Sequence, residues 1–78
     1  MSPNELLKEL AATFLARAKA QRWRGPTADD RAVEFFLGVW QTLILTEHPA
    51  AHHIGMFTSM ILPARGVKEL KRMVSREP

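Results

Sequence analysis

The sequence of 78 residues contains no cysteine. This absence excludes a disulfide framework, a thiolate metal site and a cysteine nucleophile, and it disfavours a small secreted protein stabilised by disulfide bonds. The first residues also lack a basic segment followed by an apolar run, so we expect no secretory signal. These two absences favour a cytoplasmic protein.

Long apolar segments are missing as well. Residues 35–46 form an uncharged run of 12 residues, whereas a helix that crosses a bilayer needs about 20. Residues 48–64 contain no Lys, Arg, Asp or Glu, but three histidines, Gly55 and Pro63 interrupt them. We therefore interpret both segments as buried helix and expect no membrane partner.

The composition and the helical spacing of the apolar residues predict one folded domain over residues 1–78. We expect an all-α compact bundle of about four helices. Hydrophobic residues make up 46% of the chain and charged residues 24%, which is ordinary for a globular protein. Ser2 and Glu5 predict a capping box at the start of the first helix. An apolar stripe at helical spacing follows, and the helix is expected to end near residues 22–24. The stripe consists of Leu7, Leu10, Phe14 and Ala18, flanked by Leu6 and Leu15.

The second helix is the most apolar part of the chain. Thr27 is its predicted N-cap, and Asp29 and Asp30 would lie in the first turn, near the positive end of the helix dipole. Residues 32–45 are apolar on almost every side, which is typical of a buried helix. Only a narrow stripe is polar or small: Arg31, Glu34, Gly38 and Gln41. Since three short helices could not cover this helix, we predict a second copy of the chain and hence a homodimer.

Two further helices follow a connection at residues 46–49. Pro49 can open the third helix, and Pro63 should end or kink it. One face of the third helix would consist of Ala50, Ile54, Phe57 and Ile61. The last helix has an apolar stripe of Val67, Leu70 and Val74, with Lys68, Lys71, Arg72 and Ser75 opposite.

Three histidines are the candidates for acid–base or metal chemistry. The spacing of His48 and His52 would place two imidazoles on one helix face, with His53 beside them. A metal site needs three or more converging ligands, and Pro49 should place His48 before the helix. We therefore interpret these histidines as helix caps or interface residues. The serines lie in no recognisable nucleophile motif, so we predict no enzyme, no catalytic residue, no metal and no other cofactor.

Positive charge is concentrated in two places. Eleven Lys and Arg against eight Asp and Glu give a net charge of +3. Residues 17–24 have a net charge of +4 and residues 65–78 of +3, whereas residues 25–47 have −3. The cations are Arg17, Lys19, Arg22 and Arg24 in the first place, and Arg65, Lys68, Lys71, Arg72 and Arg76 in the second.

The favoured function is a non-enzymatic protein-interaction or regulatory module that acts as a homodimer. Arg22, Trp23 and Arg24 would contact an unidentified protein partner, because aromatic and Arg side chains dominate many interfaces. A simpler interpretation is that these cations offset the helix dipole while the Trp folds back over the helices it joins. The predicted dimer interface consists of Phe35, Val39, Trp40, Leu43, Met56 and Met60.

The alternative function is a small basic nucleic-acid-binding regulator that uses the basic ends of the first and last helices. Its predicted nucleic-acid contacts are Arg17, Lys19, Lys68, Lys71 and Arg72. Residues 50–62 contain no Arg, Asn or Gln, the residues with which a recognition helix reads bases. We therefore do not expect a helix-turn-helix.

Overall fold

The computed structural model describes residues 1–75, and every regular element in that range is helical. The elements are α1 (Pro3–Gln21), α2 (Gly25–Leu45), α3 (Ala51–Met56), a π-helical turn (Phe57–Ile61), α4 (Leu62–Arg65) and α5 (Val67–Ser75). Because α3, the π turn and α4 follow one another without a break, residues 1–75 form four helical rods, and the predicted all-α bundle is confirmed. No helix in this range is both long and apolar enough to cross a membrane.

Local hydrogen bonds define both ends of α1. Ser2 Oγ accepts from the backbone N–H of Glu5 at 3.1 Å, and the Glu5 carboxylate accepts from the N–H of Ser2 at 2.9 Å. The predicted capping box is thus confirmed. At the other end, Arg22 is left-handed with a φ of 60°, and the N–H of Trp23 donates to the carbonyl of Ala18 at 3.0 Å. This Schellman motif reverses the chain and returns Trp23 onto the helix it follows.

The start of α2 lies three residues before the predicted position. Thr27 is not its N-cap, because the helix already begins at Gly25, and the N-cap position belongs to Arg24. Pro26 lies in the first turn, where its missing N–H would have no partner in any case. The two aspartates therefore fall beyond the first turn, and the dipole argument for them was wrong.

Asp29 instead joins α2 to the start of α5. Its Oδ1 accepts from the backbone N–H of Val67 at 2.9 Å, which is the hydrogen bond of a helix cap made by a distant side chain. Gly66, just before α5, has a φ of 66°. A Cβ at this glycine would lie 2.5 Å from Asp29 Oδ1. Both the backbone conformation and the close approach thus favour glycine there.

A π-helical turn accommodates Pro63. Proline disrupts a regular helix because it has no N–H and its ring collides with an earlier carbonyl. Just before it, the N–H of Leu62 donates to the carbonyl of Phe57, five residues back. The wider turn rotates the apolar face by about one residue, so Leu62 is 1% exposed whereas Ile61 is 38% exposed. The prediction that Ile61 shares the buried face was therefore wrong, while the other three positions of that face are buried.

Aromatic rings connect the rods through the core. The centroid of Phe14 lies 6.0 Å from that of Trp23 and 5.7 Å from that of Phe35. The series continues through Phe36 to Phe57 with spacings of 5.4 Å. Such ring pairs contribute about 0.5–1.5 kcal/mol beyond the burial of their area. The aromatic series therefore ties the α1–α2 corner to the π turn.

Two glycines in helices provide a matched test of packing. Trp40 lies against Gly55, where a Cβ would be 2.5 Å from the indole Nε1, whereas nothing lies within 4 Å of a Cβ at Gly38. We expect Gly55→Ala to lower the free energy of unfolding by about 1–3 kcal/mol, because the ring must move. Gly38→Ala should raise it by about 0.5–1 kcal/mol. Urea unfolding followed by circular dichroism measures both, and equal effects of the two substitutions would contradict the packing described.

The cap of α5 can be tested in the same way. Asp29→Ala should lower the free energy of unfolding by about 0.5–2 kcal/mol, because the N–H of Val67 loses its acceptor. Asp30→Ala is the control, since it removes the same charge from the neighbouring position. Thermal unfolding by calorimetry measures the difference. A loss from Asp30→Ala as large as that from Asp29→Ala would show that charge rather than the cap is responsible.

Candidate functional site

A groove lies between the C-terminal end of α1, the start of α2 and α5, with a volume of about 750 Å³. Its apolar lining residues are buried or half-buried and form the floor: Leu15, Ala18, Trp23, Ala28 and Val67. Its rim consists of the exposed cations Lys19, Arg24, Lys68 and Lys71. Within residues 1–75, the one carboxylate that lines the groove belongs to Asp29, which caps α5. We call this region the basic groove.

The basic groove unites cations from the two positively charged segments of the sequence. α1 packs closely against α5, so Lys19 and Arg24 face the same groove as Lys68 and Lys71. Charges of one sign around a groove with low-dielectric walls raise the local potential. The arrangement therefore favours a ligand with negative charge.

The remaining cations predicted for nucleic-acid contact lie outside the groove. Arg17 places its guanidinium over the ring of Phe35, 5.3 Å from the centroid. Arg72 forms an ion pair with Glu69. Arg76, which the sequence adds to the same cluster, lies outside the described residues. The basic surface is thus a local patch around the groove, with two of the five predicted contacts engaged elsewhere on the protein.

Trp23 is packed against its own chain and also lines the groove. The ring of Phe14 is stacked on it at 6.0 Å, and the guanidinium of Arg31 lies over it at 5.2 Å. The ring thus folds back over the helices it joins, as the simpler interpretation of this segment expected. Of the two flanking arginines, Arg24 lines the groove and Arg22 does not. The role of the three residues in partner binding stays a prediction.

A second surface, which we call the apolar face, consists of Trp40, Ile44, Leu45, Met56 and Met60. Three of these side chains, those of Trp40, Ile44 and Met56, line a cleft of about 370 Å³ between α2 and α3. Ile44 is 51% exposed, Leu45 83%, Met56 44% and Met60 63%. Contiguous exposed apolar side chains of this kind mark interaction surfaces in many proteins.

The predicted dimer interface coincides in part with the apolar face. Met56 and Met60 are exposed and belong to it. Trp40 belongs to it through the cleft that it lines, although it is half-buried like Val39 and Phe35. Leu43 is instead a buried core residue, because it lies two turns after Phe36 on the side of α2 that faces the core. The predicted dimer interface did not include Ile44 or Leu45, since a helix that is apolar all round gives no pattern from which to choose its exposed side.

One of the three histidines, His48, caps the backbone at the start of α3. His48 Nδ1 accepts from the backbone N–H of Ala50 at 2.9 Å, just before α3, as the helix-cap interpretation expected. His52 and His53 are exposed. Within residues 1–75, no group of three His, Cys, Asp or Glu side chains is placed to hold a metal ion.

Glu69 is the one buried charged side chain in residues 1–75. Arg72 donates to both carboxylate oxygens of Glu69. Its Nε donates to Oε1 at 3.1 Å, and its Nη2 donates to Oε2. Arg65 Nη1 lies 3.4 Å from Oε1. The hydrogen bonds from Arg72 lower the pKa of Glu69 below its ordinary value of 4.5, with a smaller contribution from Arg65, although burial opposes them. This pair explains why Arg72 is not available to the basic groove.

The Glu69 cluster predicts a loss of stability in acid. Because the pKa of Glu69 is lower in the folded chain, its contribution is complete above about pH 4.5 and is lost as the pH falls through the folded-state value. Glu69→Gln should therefore be less stable than the unchanged protein at about pH 7, and the gap should narrow as the pH falls below about 4.5. Urea unfolding across this range measures the gap. A gap that does not change with pH would contradict the ion pair's role.

Comparison of the chain with protein-family models, with curated proteins and with solved structures finds no match. The basis for a functional proposal is thus the chemistry of the basic groove and of the apolar face.

Proposed function

We propose that this protein is a non-enzymatic interaction module that acts as a homodimer and binds a partner protein. The observation that supports the proposal is the apolar face, whose exposed side chains retain 44–83% of their surface in the protomer. Removing apolar surface from water is favourable by about 25 cal/mol per Å². Association that covers this face is therefore the simplest way for the chain to gain stability.

The chemistry of the apolar face suits a second copy of the chain. In a two-fold dimer the same patch lies on both subunits, so the patch must be complementary to itself. Among residues 1–75, no Lys, Arg, Asp or Glu lines the cleft formed by Trp40, Ile44 and Met56, and its polar side chains are those of His52 and Ser59. Two such faces can therefore meet without burying an unpaired charge. Methionine side chains are flexible and polarizable, and they adapt readily to a contacting surface.

The predicted partner contacts lie away from this face. Trp23 and Arg24 line the basic groove, and none of the residues of that groove lines the cleft of the apolar face. Dimerisation through the apolar face would thus leave the groove accessible for a partner protein. We expect the module to act in the cytoplasm, since a chain without cysteine gains nothing from an oxidising compartment.

Light scattering after size exclusion tests the proposal directly. At micromolar concentration the mass should be twice that of the protomer. Met60→Glu should raise the dissociation constant by about 100-fold or more, because an unpaired charge buried in an apolar interface costs several kcal/mol. Ala16→Glu is the control, since it introduces a carboxylate at an exposed position of α1, a helix that contributes no residue to the apolar face.

Two outcomes would contradict the dimer. One is a monomer mass over the whole micromolar range. The other is equal dissociation by Met60→Glu and by Ala16→Glu, which would show that net charge rather than the apolar face controls association. Circular dichroism of each variant establishes that the fold is retained.

A further inference from the structure

We propose that the basic groove binds an acidic segment of a partner protein, with one large apolar side chain inserted into the floor and carboxylates placed against the rim. This inference rests on the proposed function, because it identifies the chemical class of the partner. Three features of the groove support it. The cations of its rim are unpaired, its floor is apolar, and Phe14 and Arg31 already lie against the ring of Trp23.

The rim consists of cations that the described part of the chain leaves unpaired. Within residues 1–75, none of the four cations Lys19, Arg24, Lys68 and Lys71 forms an ion pair. Two of them come from the junction of α1 and α2, and the other two come from α5. A segment with carboxylates on both sides of an anchor would place a negative charge near each pair.

The floor favours a ligand that is apolar as well as acidic. Ala18, Ala28 and Val67 are buried beneath it, and Leu15 and Trp23 are half-buried at its sides. The volume of about 750 Å³ lies within the range of pockets that enclose ligands, about 300–1,000 Å³. This space accepts a Leu, Phe or Trp side chain together with adjoining backbone. A phosphate backbone alone would leave the apolar floor without a partner.

The surroundings of the groove disfavour nucleic acid. Phe14 and Arg31 already lie against the Trp23 ring, so a base would have to compete with them for a ring face. Arg17 and Arg72, which would extend the basic surface into a track, are engaged with Phe35 and Glu69. A short acidic segment needs only the local patch that remains.

Isothermal titration calorimetry with synthetic peptides tests the proposal on the full chain. The probes are peptides of about 15 residues in which one Leu, Phe or Trp lies between Asp and Glu at three- and four-residue spacing. One matched set replaces the acidic residues by Gln, and a second replaces the apolar anchor by Ala. Oligothymidylate and a mixed-sequence DNA duplex are titrated under the same conditions.

At least one acidic peptide with an anchor should bind, and its affinity should fall as salt is raised. Removal of the acidic residues or of the anchor should each weaken binding by about tenfold or more. Lys68→Gln and Arg24→Gln should weaken it several-fold. Arg22→Gln is the matched control, because it removes a charge from the same corner at a residue that does not line the groove, and it should leave the affinity unchanged.

Several results would overturn the inference. These are failure of every anchored acidic peptide to bind, equal binding of peptides without the anchor, and an equal effect of Arg22→Gln and Arg24→Gln. Tighter binding of either DNA than of any peptide would assign the groove to nucleic acid instead. The mass of each sample separates this test from that of the proposed function: a dimer that binds no peptide refutes the groove alone, and a monomer that binds peptide refutes the dimer alone.

Discussion

The constraint that governs this structure is a 21-residue helix that is apolar on most of its sides. The other three rods cover one side of α2, where Phe36 is fully enclosed. Small domains bury a smaller fraction of their surface than large ones, and residues 1–75 contain no further element that covers the rest of α2. Ile44 and Leu45 remain exposed, and Ile44 lines one cleft together with Met56. A second copy of the chain can cover the apolar surface that the protomer leaves exposed.

The position of α5 follows from a separate constraint. Asp29 on α2 accepts from the first N–H of α5, and the left-handed Gly66 leaves room for that carboxylate. Anchored in this way, α5 packs along α1 and turns Lys68 and Lys71 towards the α1–α2 corner. This hydrogen bond between distant parts of the sequence thus fixes the start of α5 beside the basic groove. The two surfaces have different chemistry, one apolar and uncharged, the other cationic around an apolar floor.

Sequence patterns predicted the local features of this fold and missed the features that depend on distant contacts. The capping box of Ser2 and Glu5 and the apolar stripes of α1 and α5 follow from spacing within one helix, and all were predictable. The cap made by Asp29 was not predictable, because the backbone N–H that donates to it belongs to Val67, 38 residues further along the chain. Ile61 was misplaced because a single π turn shifts the helical register. The apolar face could be predicted only in part, since α2 has too few polar positions to orient it.

The solvent accessibility of the methionine methyl groups tests the central claim most directly. In NMR spectra recorded with a soluble paramagnetic probe, the methyl signal of Met1, which is 79% exposed, serves as the reference for free access. If a second copy covers the apolar face, the signals of Met56 and Met60 should be protected from the probe relative to that of Met1. The sample contains this protein alone, at micromolar concentration. Broadening of the Met60 signal as strong as that of the Met1 signal would contradict the account.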